Sequence, residues 1–208
     1  MELQYYGANC VLLTAKDIRI VVDDTLAMTS AKSITKPGDV ALFTGIVPEI
    51  AVDTKITIAQ PGEYEIANVS IVGIPARAHM DEPGQHSATM YKVIVGDVSF
   101  LFTGHVYPEL SDDQLEDINA IDVMVVPVGG NGFTLDSIGA LKLVKAIEPK
   151  IVVPTHYDEK GLKFEVPQQT LDQAIHGLGM EPKEKVAKLK VKSLELPEVT
   201  SLIVLERS

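Results

Sequence analysis

Residues 121–156, IDVMVVPVGGNGFTLDSIGALKLVKAIEPKIVVPTH, decide the fold of this chain. Ile121 to Val128 is an apolar run of the kind found in a strand buried on both faces. After a glycine turn, Thr134 or Asp136 can cap a helix in which Ile138, Leu141, Val144 and Ile147 share a face. Pro149 stops that helix, and Ile151 to Val153 reads as a second strand. Strand, helix and strand in this order predict a parallel pair joined by a right-handed crossover.

Working outward, a helix from about Pro167 to Leu178 follows, with Leu171, Ile175 and Leu178 on one face. The tail closes with strands near Val186 to Val191 and Ser201 to Leu205. Upstream, Ser111 and Gln114 form a capping box that opens a short helix through Ile118. The first hundred residues read differently, as short strands with apolar residues at every second position: Leu3 and Tyr5, Val11 and Leu13, then Ile18, Ile20 and Val22. Val40 to Phe43 is a short apolar run. Tyr64 to Ile66 and Val69 to Ile74 flank Ala67-Asn68, and Tyr91 to Val95 and Val98 to Phe102 flank Gly96-Asp97, two hairpin signals. Hairpins first and a βαβ unit later predict an α/β (α+β) chain, with two mixed sheets face to face and outer helices near 111–118, 135–147 and 167–178. No linker or repeat divides residues 1–208, which read as a single domain.

Composition narrows the function classes. The 208 residues carry 29 acids against 18 bases, a net charge of −11 that disfavours nucleic acid as a partner. No stretch approaches the roughly 18 apolar residues of a membrane span, and the start, MELQYYGANCVLL, has neither the basic region nor the cleavage site of a signal peptide. One cysteine, Cys10, excludes a disulfide framework and reads as a small core residue. A soluble, cytoplasmic protein is the expectation. Lys183, Lys185, Lys188, Lys190 and Lys192 form the basic cluster and read as the wet face of an edge strand.

Ligand sites in open sheets gather at the carboxyl ends of strands, which directs attention to four loops. They are Thr44 to Glu49, Ala76 to Asp81, Thr103 to Tyr107 and Pro154 to Asp158. Three of them carry a histidine: His79, His105 and His156. His86 and His176 read as surface residues, and Asp136 as a helix cap.

These loops, and the stretches YYGANCVLL (5–13), PGEYEIANVSIVGIP (61–75), IDVMVVPVGGNGFTLD (121–136) and EPKIVVPTHYDEKGLKF (148–164), resemble the metallo-β-lactamase superfamily over nearly the whole chain. The order and spacing of the stretches are most similar to the UlaG-like branch, relatives of ascorbate-phosphate lactonase. The resemblance implies a four-layer αββα sandwich, and for intact members of the branch a binuclear zinc site and a homo-oligomeric assembly. That site depends on a His-x-His-x-Asp-His signature, and its histidines fall here on Gly45, Val47 and Ile50, its aspartate on Glu49. Glycine, valine and isoleucine have no donor atom. The branch's opening histidine falls on Ala8 and the bridging aspartate on His105. His156 matches the last histidine of the family, and His79 matches the middle one if one residue is inserted after Pro75. Asp23 matches the family's strand-ending aspartate, which orders the loops around the site.

Two functions follow from this pattern. One is a degenerate member of the fold that has lost binuclear hydrolysis, expects no cofactor, and acts by binding a small molecule of unknown identity or by assembly as a homo-oligomer. The other is a metal-dependent hydrolase of lactone, phosphodiester or amide bonds, with one zinc held by His79, His105 and His156. On that second reading Glu49 or Asp158 would transfer protons; on the first, His105 would hydrogen-bond one of them in a pocket without metal.

Overall fold

The computed structural model describes residues 1–16, 18–50, 52–132 and 134–208. The strands are β1 (Glu2–Gly7), β2 (Cys10–Ala15), β3 (Ile18–Val22), β4 (Val40–Leu42), β5 (Ile56–Ile58), β6 (Gly62–Ile66), β7 (Val69–Ala76), β8 (Ala88–Val95) and β9 (Val98–Phe102). Helix α1 (Asp112–Ile118), β10 (Val123–Pro127), α2 (Ser137–Ile147), β11 (Ile151–Thr155), α3 (Leu171–Leu178), β12 (Pro182–Val186), β13 (Leu189–Lys190) and β14 (Ser201–Leu205) follow. They build a six-stranded sheet, ordered β13-β1-β2-β3-β4-β5, and an eight-stranded sheet, ordered β12-β14-β11-β10-β9-β8-β7-β6.

The two sheets pack face to face because of period-2 burial. In the first sheet Leu3 pairs with Leu13, and Tyr5 with Val11, so that these side chains, with Ile20, Val22, Val40 and Leu42, point into one core. That core also takes Met90, Phe100, Phe102, Val123 and Val125 from the second sheet. The alternate positions Cys10, Leu12 and Val21 face the other way and are covered by Leu26, in a 3-10 turn over Leu26–Thr29. Among the described residues, that turn and the following Ala31 and Ile34 cover this face. On the second sheet the outer layer is made of helices: α1 against β7, and α2 against β10 and α3. Strands β10 and β11 are buried at every position, as expected for strands covered on both sides, and they pair in parallel.

The capping box of α1 forms as read, with Ser111 Oγ accepting from Gln114 N and Gln114 reaching back to the Ser111 backbone. Of the two candidate caps of α2, Asp136 takes the role. Both predicted hairpins form, and Ala67 and Asn68 take the positive φ of 52° and 61° that a tight two-residue turn requires.

Two boundaries differ from the sequence reading. Helix α3 begins at Leu171 rather than near Pro167, because Thr170 and Gln173 form a second capping box. The preceding Gln169 is held in extended backbone by bonds between its N and Gly129 O and from Asp158 N to its own carbonyl. The strand expected at 186–191 is instead a crossover. β12 ends at Val186 in the eight-stranded sheet, whereas β13 pairs with β1 in the six-stranded one. Both are edge strands, so the lysines lie where they discourage edge-to-edge pairing. Among the described residues no helix is long and apolar enough to cross a membrane.

Candidate functional site

β1, β3, β4, β7, β9, β10 and β11 all run toward the same end of the sandwich, so the loops after them meet there. A buried polar chain ties the two sheets together at this end. Asp23, just after β3, accepts from Thr44 N through Oδ1 at 2.7 Å, and through Oδ2 from Thr44 Oγ1 at 2.6 Å and Asn9 Nδ2 at 2.5 Å. Asn9 Oδ1 in turn accepts from Thr155 Oγ1 at 2.6 Å, and His156 N donates to Ala8 O at 2.7 Å. Burial pushes the Asp23 carboxyl above its ordinary range, while the bonds from Thr44 and Asn9 pull it back. Asp23 therefore performs the ordering role that its position predicted. The bridging part of Asn9 was not foreseen; its place in the turn between β1 and β2 was the available signal.

In the loop after β4, Gly45, Val47 and Ile50 carry no ligand atom. Thr44 is buried and committed to Asp23, while Gly45, Ile46 and Val47 are exposed and Ile50 is half-buried. Glu49 and Asp158 are both exposed and make no hydrogen bond to an imidazole among the described residues. The partnership expected between His105 and one of these acids is absent, because His105 turns inward, toward the other two histidines.

The structure brings the rings of His105 and His156 into contact and the His79 backbone beside them. His105 and His156 pack edge to face with ring centroids 4.3 Å apart. His79 N donates to His105 O at 2.8 Å, in the antiparallel bridge that pairs Ala78 with Val106. Desolvation first, then the proximity of His156 and His79, pushes the His105 imidazole well below its ordinary pKa. Burial likewise brings His156 down to about 4, against a smaller opposing effect from Gln168. Both rings are neutral at pH 7.

His156 has a positive φ of 57°, a conformation that is uncommon outside glycine and found at ligand sites. Its ring lies against Phe164, centroids 5.0 Å apart, and its Nδ1 is 3.3 Å from Gln168 Oε1. Gln168 Nε2 donates to Val166 O, which leaves Oε1 as an acceptor and makes Nδ1 the protonated nitrogen of His156. Nε2 of His156 then carries the free lone pair. Nδ1 of His79 and Nδ1 of His105 are buried and have no hydrogen-bond partner among the described residues.

Gly45, Val47 and Ile50, in the loop after β4, carry no ligand atom for a metal, and His105 brings an imidazole rather than a carboxylate. A single metal fits the donor chemistry better, since three imidazoles come from neighbouring loops and His79 and His105 each hold a buried Nδ1 without a partner among the described residues. As the rings stand, no group of three or more His, Cys, Asp or Glu side chains among the described residues is set to hold an ion.

Gly129, in the loop after β10, packs directly against the His156 backbone and Gln168. A Cβ at this position would overlap Gln168 Oε1 and the His156 carbonyl. Gly129→Ala should therefore lower stability by about 1–3 kcal/mol and move Gln168 off His156. Thermal unfolding and the histidine resonances in NMR check both effects, and a variant as stable as the parent would contradict this packing.

The site also holds a pair that sequence reading missed. The Arg77 guanidinium lies over the Tyr107 ring, 3.8 Å from its centroid. Arg77 and Tyr107 each sit two residues from a predicted histidine, and that parity was the only sign of them.

Comparison with known proteins agrees with this architecture. Residues 2–156 match the family model for the beta-lactamase superfamily domain. A Salinibacter ruber protein named as a UPF0173 metal-dependent hydrolase is 39% identical over 194 residues, covering 76% of this chain and 85% of its own length. A Nanoarchaeum equitans protein of the same name is 26% identical over 89% of this chain and 99% of its own. With the Carboxydothermus hydrogenoformans relative the match is shorter: 43% identity over 64 residues, spanning 28% of that protein. Among solved structures, a Thermotoga maritima protein of the metallo-beta-lactamase superfamily superposes with a TM-score of 0.79 at 22% identity, covering 99% of both chains. A metallo hydrolase from Ignicoccus hospitalis gives 0.57 at 16% identity over 86% of this chain and 90% of its own. Fold, matched family model and the Salinibacter relative lead to one conclusion: the chain belongs to the beta-lactamase superfamily, in the UPF0173 metal-dependent hydrolase family.

Proposed function

We propose that this chain keeps the metallo-β-lactamase fold without its binuclear hydrolysis and acts by binding a small molecule in the histidine-lined cleft, or by assembly through self-association. The observation that carries this reading is the loop after β4, where Gly45, Val47 and Ile50 offer no ligand atom and Thr44 is committed to Asp23. Placement in the UlaG-like branch, with a degenerate motif, rests on the order of the four matched stretches. A cytoplasmic setting is in keeping with a single, buried cysteine.

Elemental analysis of protein purified without chelator should find well under two zinc ions per chain. Assays with β-lactam, lactone and phosphodiester substrates should show little turnover. Two tightly held ions, or brisk chelator-sensitive hydrolysis, would refute this reading.

The orphaned Nδ1 atoms favour a second reading, in which His79, His105 and His156 together hold one zinc. When bound, zinc would supply Lewis acidity in a three-imidazole site. The chain's own part would be to keep the His105 and His156 rings neutral by burial and to fix the His156 tautomer through Gln168. One zinc per chain, lost together with activity in His105→Ala, would establish this alternative.

A further inference from the structure

The isolated bridge between Ala78 and Val106 is flanked by two pairs, one on either side. His79 N bonds to His105 O, and Tyr107 N bonds to Arg77 O, so His79 lies opposite His105 and Arg77 opposite Tyr107. Side chains two residues apart on a strand share a face. The bridge thus sets the histidine pair and the Arg77–Tyr107 pair two residues apart along the same two segments, while Val106 turns into the core. Successive same-face positions are roughly 7 Å apart.

Beside the histidines, Arg77, Tyr107, His86, Ser111, Gln114 and Glu109 line a cleft of about 220 Å³. Arg77 Nε and Nη2 both donate to Asp81 O, at 2.9 and 2.7 Å, and the face of the guanidinium rests on Tyr107. The group is thus pinned on one edge and one face. Of its five N–H donors, three have no partner among the described residues, including both on Nη1. Ser111 Oγ accepts from Gln114 N, which leaves its hydroxyl proton free to donate. Gln114 is already engaged by the Ser111 backbone and the Pro75 carbonyl. Glu109 is the one acid on the lining, and it is solvent-exposed.

A preorganised guanidinium with free N–H donors suits a planar or tetrahedral oxyanion, although the carboxylates of Asp81 and Glu109 lie near it. We infer that this cleft is an oxyanion subsite, taking the phosphate or carboxylate group of a small molecule whose other end reaches the histidines roughly 7 Å away. The span rests on the proposed reading of the histidine cleft as a ligand site. The anion contact stands on Arg77 and Tyr107 alone.

Calorimetric titration of the full chain with inorganic phosphate, acetate and phenyl phosphate tests both parts. Phosphate or acetate should bind saturably. Arg77→Gln should weaken that binding at least tenfold, and Arg77→Lys, which keeps the charge but loses the fork, should weaken it less. Thermal unfolding of both variants checks that the loop held by Asp81 remains folded. Phenyl phosphate should bind more tightly than phosphate, and His105→Asn should remove that advantage. Anion binding that is absent, or that is the same in folded Arg77→Gln, overturns the subsite. Arg77-dependent phosphate binding without any aryl advantage would leave the subsite standing and overturn the histidine-cleft reading.

Discussion

Asp23→Ala should lower the stability of this protein by about 3–5 kcal/mol, because it leaves several buried donors without an acceptor. Thr44 N, Thr44 Oγ1 and Asn9 Nδ2 all point at this carboxylate, and Asp23 is only 5% exposed. Each unsatisfied buried group costs about 1–3 kcal/mol, and neighbouring losses are not additive, which is why the total is set below the sum. For a chain of this size the midpoint of thermal unfolding should fall by roughly 10 °C. Asp23→Asn keeps the shape and one acceptor oxygen, so it should retain about half of the stability difference. Urea unfolding of both variants is the measurement. A loss below about 1 kcal/mol in Asp23→Ala would mean that water replaces the carboxylate and that the chain from Thr44 to Thr155 is not what joins the sheets.

The same network explains what could be read from the sequence. Hairpins at Ala67-Asn68 and Gly96-Asp97, and the strand–helix–strand unit around Asp136, are local: a few neighbouring residues determine them, and all formed. The crossover between Val186 and Leu189 is not local. An alternating lysine and apolar pattern fits one strand as well as two, and only the partners β14 and β1, far off in sequence, divide it. β5 has three residues and exists because β4 offers an edge to pair with. At the site, His105 and His156 could be singled out because both lie in loops that begin at the end of a strand. Asn9 and Arg77 could not, since their roles depend on partners at Thr155 and Tyr107, which a one-dimensional pattern does not bring together.

Acid should destabilise the protein between about pH 6.5 and pH 4, and the histidine cleft should account for much of the loss. His156 is brought down to about 4 and His105 well below its ordinary value, both chiefly by burial. Their unfolded values lie near about 6.5. Below that pH the unfolded chain takes up protons that the folded chain refuses, so the free energy of unfolding falls as pH falls. The stability is fully present above the unfolded pKa and is lost on the way down to the folded one. Each histidine contributes a slope of up to about 1.4 kcal/mol per pH unit, and His156 alone should account for roughly 3 kcal/mol across the window. Asp23 and Glu159 act in the opposite sense, since burial raises both carboxyls and the folded state protonates them first. Wild type alone therefore reports only the net effect, and the decisive quantity is the difference between slopes. His156→Asn, with no titrating ring, should flatten the fall in stability between pH 6.5 and 4.5 by close to one proton's worth. Equal slopes in the two proteins, measured by urea unfolding at each pH, would show that His156 is hydrated and charged in the folded state, and the neutral imidazoles on which both readings of the cleft depend would be lost with it.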